Sequence, residues 1–207
     1  CGFGLVEQAD AADRRYGADA IIATDPPYYD NVPYADLSDF FYTWLRGTLR
    51  AIYPEIVGTL LTPKAAELIA DPFRRGGRDA AEKFFEEGFR SVFSHVRSTA
   101  SPSFPISVFY AFKQAEVNDG RHASTGWETL LEGMIDSGWS VTGTWPMRTE
   151  RSGRSRDIES NSLASSVVLA CRPRPEDAEM IDRRGFLSCL REELPERLRE
   201  LQRGNIA

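Results

Sequence analysis

The pair Pro26-Pro27, set directly behind the run Ala18-Asp19-Ala20-Ile21-Ile22-Ala23-Thr24, constrains this chain more than any other feature. The run has the character of a buried strand. Proline fixes φ, lacks an N–H and pushes the residue before it away from helix, so the strand stops at Thr24 and the chain leaves it stiffly extended. Asp25 is thereby expected at the carboxyl end of a strand, where open α/β sheets bind their ligands. The two prolines also remove two backbone donors. What remains at this corner are acceptors: the Asp25 carboxylate and the backbone carbonyls.

The rest of the sequence supplies the elements for such a sheet. Leu5 to Gln8 reads as a short strand ending at Ala9-Asp10, and Ile106 to Phe112 as a strand of central type. Leu37, Phe40, Phe41, Trp44, Leu45, Leu49 and Ile52 recur at helical spacing and predict a helix over 37–51, with Asp36 or Ser38 as N-cap and Trp44 in the core. A connection with Pro54, Pro63, Pro72 and Gly76-Gly77 leads to a second amphipathic helix, Asp79 to Arg97, whose phenylalanines are expected to be core. Thr125 to Ser137 is a helix opened by Thr125 and Glu128 in capping-box spacing and closed by Gly138. Val141 to Trp145 and Ser166 to Cys171 are two strands with no helix between them, and a charged helix broken near Pro195 follows Glu176. Strands alternating with helices favour a doubly wound, mainly parallel sheet. The last hairpin adds a reversed edge strand, giving a Rossmann-like α/β fold over residues 1–175 and a helical extension over 176–207.

Composition sets the outer limits. A formal net charge of −6 over 207 residues argues against a protein that grips nucleic acid with its whole surface, and moves that task to a local patch or a partner. The three cysteines lie far apart, with no histidine cluster, which reads as reduced cytosolic thiols and no metal site. No apolar run reaches the ~20 residues of a membrane span. The absent initiator Met and the immediate start at Cys1-Gly2-Phe3-Gly4 read as a piece of a longer parent chain.

A corner of acceptors suits one kind of chemistry. The lone pair of an exocyclic amino nitrogen on a base is delocalised into the ring and is a poor nucleophile. Two acceptors on its two hydrogens localise that lone pair and aim it at an electrophilic carbon. Tyr28 offers an aromatic face for a base lifted out of a duplex. The bland alternative is a stiff turn after a strand, with Tyr28 and Tyr29 as wall.

The stretch from Thr24 through Asp25-Pro26-Pro27-Tyr28-Tyr29-Asp30-Asn31 to Tyr42 resembles the DUF1156 family of adenine-specific DNA methylases. The likeness recurs in Thr62-Pro63-Lys64 with Glu67-Leu68, in Thr144 to Glu150, and in Leu163 to Leu169, and it covers about residues 5 to 174. The resemblance implies a class I methyltransferase fold, S-adenosyl-L-methionine as methyl donor and an adenine N6 or cytosine N4 target in DNA. It matches Asp25, Pro26, Pro27 and Tyr28 to the catalytic tetrapeptide, and it makes Asp10 similar to the acidic position near the cofactor's adenine, with Thr24 beside it. The Gly-rich cofactor motif of such enzymes has no clear counterpart, since Phe3-Gly4 lies too near the next strand and Gly76-Gly77 lies between helices. Part of the cofactor site is therefore expected upstream.

Further candidates carry two readings each. Tyr29 and Asn31, with Asp30, line the mouth of a pocket or shape the following turn. Arg148, with Arg151, Arg154 and Arg156, contacts DNA phosphates or belongs to a solvated loop interleaved with Glu150, Asp157 and Glu159. Asn161 bonds a base or cofactor, or simply serves a turn. Lys64 is a phosphate contact or a surface lysine. His95 and His122 are isolated and receive no role. The same acceptor geometry suits any planar amino nitrogen, including that of an RNA base or of a protein glutamine side chain, and a degenerate fold that binds without catalysis is the rival from another class.

Overall fold

The computed structural model describes residues 3–5, 7–17, 19–29, 32–111, 125–147 and 166–203. The chain forms two compact units, Cys1–Pro173 and Arg174–Ala207. The first is a mixed α/β unit with strands β1 (Ala23–Thr24), β2 (Ile106–Ala111), β3 (Trp139–Met147) and β4 (Ser166–Pro173). Its helices are α1 (Tyr34–Leu49), α2 (Pro54–Val57), α3 (Pro72–Arg75), α4 (Arg78–Thr99) and α5 (Thr125–Asp136). The second unit holds α6 (Arg183–Arg203), which continues through Pro195 instead of breaking there. No described helix is long and apolar enough to cross a membrane.

The strands lie in the order β1-β2-β4-β3. β1 pairs in parallel with β2, and β4 runs antiparallel to both β2 and β3, so β1, β2 and β3 point one way and β4 alone is reversed. The reversed strand is thus interior, and the edge belongs to β3. Its composition accounts for this: Val167-Val168-Leu169-Ala170-Cys171 is a continuous apolar run, which suits a strand flanked on both sides better than an edge. β4 fills the gap that the α5 crossover leaves between β2 and β3, laddering from Ile106↔Cys171 to Ala111↔Ser166 on one side and from Trp139↔Pro173 to Met147↔Ser166 on the other.

Two expected strands shrink. The described residues of Leu5 to Gln8 form no strand, and the run from Ala18 narrows to Ala23–Thr24 because Ala20 donates back to the Gly17 carbonyl in a turn. Before it, Asp13 and Arg14 close a second turn on the Asp10 carbonyl, and His95 Nε2 of α4 lies 2.7 Å from the Arg14 carbonyl, tying this loop down.

The core lies between the sheet and the α4–α5 layer. Ile106, Val108 and Tyr110 of β2 and Leu169 and Cys171 of β4 alternate onto one face. Phe85, Phe89 and Phe93 of α4 stack along that face with ring centroids 4.5 and 5.6 Å apart, and Leu130 and Met134 of α5 join them. Trp139, fully buried, donates its indole N–H to the Phe93 carbonyl at 3.0 Å and locks β3 to α4. Gly138 adopts φ +80°, the left-handed turn that ends α5 as its position predicts. Helices α4 and α5 thus cover the core face of the sheet. On the opposite sheet face, Phe109 and Trp145 both stand in register with Val168 and both are exposed.

Helix α1 departs most from expectation. It starts at Tyr34, not 37, and neither Asp36 nor Ser38 caps it. Its inward positions are Ala35, Asp39, Tyr42, Arg46 and Leu49, while Leu37, Phe40, Phe41, Trp44 and Leu45 face outward. Trp44 is 69% exposed and is no core residue. The periodicity is correct and the orientation is reversed, because polar partners on the 59–74 segment hold the other face.

Burial pushes the Cys171 thiol up to about 12, whereas Cys189 in α6 is exposed. A thiol-directed reagent at neutral pH will label Cys189 within minutes and reach Cys171 only in denaturant, since the thiolate is the reactive form. Equal labelling of the two in the folded protein, read by peptide mass spectrometry, would contradict this packing.

Candidate functional site

The site begins with the short ladder of β1. Ser107 donates to the Ile22 carbonyl at 2.9 Å, and Ala23 and Thr24 pair with Ser107 and Val108. The chain then leaves the sheet through Asp25, Pro26 and Pro27, which stand beyond the carboxyl end of β1. Asp25 is exposed, and Pro26, Pro27 and Tyr28 are half-buried.

Asp25, Pro26 and Pro27 open onto a cavity of about 600 Å³. Thr24, Asp25, Pro26 and Pro27 form one wall and the loop Gln8 to Ala11, with Tyr16, forms another. Pro63, Ala66 and Leu68 close a third side, and the floor is apolar: Ile22, Phe89, Val92, Phe93, Val96 and Ile106. Gly88 shapes this floor, since a Cβ there would come within 2.2 Å of Leu68 Cδ1. Asp10, expected at a cofactor, therefore shares one cavity with Thr24 and the Asp25 motif. The Asp10 carboxylate accepts from the Ala12 N–H at 2.9 Å, which orients it. Among the described residues the lining includes two carboxylates, Asp10 and Asp25, and no lysine or arginine.

The two tyrosines of the motif part company. Tyr28 is not among the residues lining the cavity. Its ring lies beside that of Tyr34, with centroids 6.5 Å apart, and its N–H donates to the Tyr34 hydroxyl at 3.4 Å. Tyr29 turns inward, buried with its ring edge-on to Phe85 at 4.9 Å, and so supports the loop from beneath instead of lining its mouth. The Tyr29 carbonyl accepts from the Ala70 N–H at 2.7 Å. Asp30, Asn31, Arg148, Asn161, the cluster Arg151, Arg154 and Arg156, and His122 lie outside the described residues.

A charged network behind α1 holds the loop in place; Asp36, Lys64 and Glu67 stand in the resembling stretches, whereas Asp71 and Arg74 were not singled out in the sequence. The Glu67 carboxylate accepts from the Ala35 N–H at 2.8 Å, capping α1 from 32 residues away, and pairs with Arg74 at 2.5 Å. Arg74 also binds Asp36 and, at 3.1 Å, Asp71. The Glu67 hydrogen bond, then the Asp36 bond and the charges of both, raise the Arg74 guanidinium above its ordinary value against a lowering by burial. Lys64 bonds Asp39 at 2.6 Å and the Thr62 carbonyl at 3.1 Å, so its charge is already committed and it is not a free phosphate contact. Gly76 and Gly77, with φ +79° and +139°, turn the chain from α3 into α4 and carry no cofactor loop. His95 is structural, through its bond to Arg14. Among the described residues no group of three or more metal-ligating side chains occurs.

Comparison of the chain with models of protein families, with curated proteins and with solved structures finds no match.

Lys64, bonded to Asp39, followed by the Thr62 N–H, holds the Asp39 carboxyl below its ordinary value of 3.8. A depressed carboxylate contributes stability above its unfolded value and loses it as pH falls through the folded one. Asp39→Asn will therefore lower the urea midpoint at pH 7 and have a smaller effect at pH 3. A difference that grows on acidification would contradict the Lys64–Asp39 pairing.

Proposed function

We propose that this chain is the catalytic part of a DNA amino-methyltransferase that uses S-adenosyl-L-methionine to methylate adenine N6 or cytosine N4 of a flipped base. The observation that carries the reading is the chemistry of the cavity beside Asp25. Its volume suits a ligand of cofactor size, its floor is apolar, and its charged lining groups among the described residues are two carboxylates without a cation. A phosphate-bearing cofactor would find no counter-charge among those described lining residues. A ligand with a cationic sulfonium and ammonium, ribose hydroxyls and a flat apolar ring would find acceptors at Asp10 and Asp25 and a surface at Phe89 and Phe93. When bound, such a group supplies an electrophilic methyl. The Rossmann-like class I reading is supported by three co-directional strands with one reversed, and by a motif at a strand's carboxyl end.

The residues of the chain do the positioning. The Asp25 carboxylate and the Pro26 carbonyl accept the two hydrogens of the target amino group and turn its lone pair towards the cavity. Asp25 is also the group nearest to hand for the proton that the alkylated nitrogen releases. Tyr28, next to the Asp25-Pro26-Pro27 wall, and Tyr34 bring two aromatic rings together on which a flipped base stacks. With a net charge of −6, affinity for the duplex has to come from a local patch or a partner.

Incubation of the chain with labelled S-adenosyl-L-methionine and duplex DNA, followed by nucleoside analysis, tests this. N6-methyladenine or N4-methylcytosine is expected, and Asp25→Ala should lower its formation by about 100- to 1,000-fold with an unchanged melting temperature. Label in RNA or protein alone would overturn the substrate. Methylation indifferent to Asp25→Ala would overturn the site, and cofactor or DNA binding without any transfer would favour a binding module.

A further inference from the structure

We infer that Glu67 is a positioning residue for the methyl transfer proposed above, a role that rests on that reading: from the wall of the cavity it sets where the loop carrying Tyr28 stands. The segment 62–70 belongs to no helix or strand, and its neighbouring residues serve two sides. Ala66 and Leu68 line the cavity, and Leu68 also packs against the core. Glu67, between them, reaches α1 and accepts from the Ala35 N–H at 2.8 Å. The Ala70 N–H donates to the Tyr29 carbonyl at 2.7 Å. One short segment thus grips the 29–35 stretch at both ends while forming part of the cavity wall.

The long reach of this cap is what distinguishes it from an ordinary helix start. The first N–H groups of a helix have no partner within it. Pro33 stands at the N-cap position of α1 and makes no side-chain cap bond. A serine or aspartate there would satisfy the helix equally well, but would tie it only to itself. Glu67 ties it to the cavity wall instead. Its carboxylate is only 12% exposed, and the cost of burying it is offset by Arg74 at 2.5 Å and by the Ala35 N–H. Its backbone is braced too, donating to the Lys64 carbonyl at 3.3 Å and accepting from the Ile69 N–H at 3.0 Å. From Ala35 the path to the motif is short. Tyr34, its neighbour in the first turn, accepts the Tyr28 N–H on its hydroxyl at 3.4 Å and keeps its ring centroid 6.5 Å from that of Tyr28. Misplacing a reacting group by about 1 Å lowers a rate by about 100-fold, so a contact that adds little to stability has a large effect on transfer.

Steady-state kinetics of the 207-residue chain with duplex DNA and S-adenosyl-L-methionine test the role, beside calorimetric cofactor affinity and hydrogen exchange at the Ala35 amide. Glu67→Ala should lower kcat by about 10- to 100-fold, speed exchange at Ala35 and leave cofactor affinity unchanged. Glu67→Gln should restore both kcat and protection, because its amide oxygen still accepts from Ala35 while Asp36 and Asp71 continue to balance Arg74. If Glu67→Ala does not fold, Tyr34→Phe reads the same path, since it removes only the hydroxyl that Tyr28 bonds; a loss in kcat of about 5-fold is expected, and no loss would overturn the role. An unchanged kcat in Glu67→Ala would overturn it as well. So would equal impairment in the Ala and Gln variants, or a fall in cofactor affinity parallel to that in kcat, which marks a merely structural residue. A wild-type chain that transfers no methyl group would overturn the proposed function and this role with it, whereas transfer indifferent to Glu67 overturns this role alone.

Discussion

Ala23 and Thr24 pair in parallel with Ser107 and Val108, and the placement of the Asp25 loop, the cavity and α1 follows from that short ladder. Strand pairing fixes the direction in which the chain leaves the sheet. The prolines at 26 and 27 then prevent it from bending back into helix or continuing the ladder. Two residues of pairing would be weak by themselves. They are backed by Ile22, Ile106 and Val108 in the core and by the stacked phenylalanines of α4, which form the cavity floor as well. Stability and site geometry thus rest on one set of side chains.

The loop beyond Pro27 is held differently, by polar contacts over long sequence distances. Tyr29 anchors one end through its buried ring and through the Ala70 N–H bonded to its carbonyl. Glu67 caps the first turn of α1, and Arg74 joins Glu67, Asp36 and Asp71 into one network. An ion pair of this kind contributes little net free energy compared with apolar packing, but removing one partner leaves charges unmatched, so it fixes a single arrangement. Here the arrangement it fixes keeps Tyr28 beside Tyr34 and turns the polar side of α1 inward.

Much of this was legible in the residues. The 3.6-residue recurrence of Phe85, Phe89, Phe93 and Val96 gave α4, the apolar run from Ile106 gave β2 as a strand of central type, and Gly138 gave the end of α5. The unbroken apolar run in β4 could also have indicated an interior strand. The orientation of α1 could not be read, because periodicity says that a helix has two faces and not which one meets the protein. Nor could the Glu67 cap, since a partner 32 residues away leaves no local signal at Tyr34. The Asp25 motif was found from its chemistry. Its sharing of a cavity with Asp10 depends on turns at 10–14 and 17–20 that interrupt what looked like strands.

The claim on which the functional account turns is that the acidic, apolar-floored cavity beside Asp25 takes S-adenosyl-L-methionine. Calorimetric titration of the 207-residue chain and of Ala66→Trp measures this directly, since Ala66 is exposed at the cavity rim and a larger side chain there fills the space without entering the core. The account predicts one site per chain with a Kd on the order of micromolar, weakened at least about tenfold in Ala66→Trp at equal thermal stability. No heat of binding in the parent chain, or equal binding by both, would contradict it.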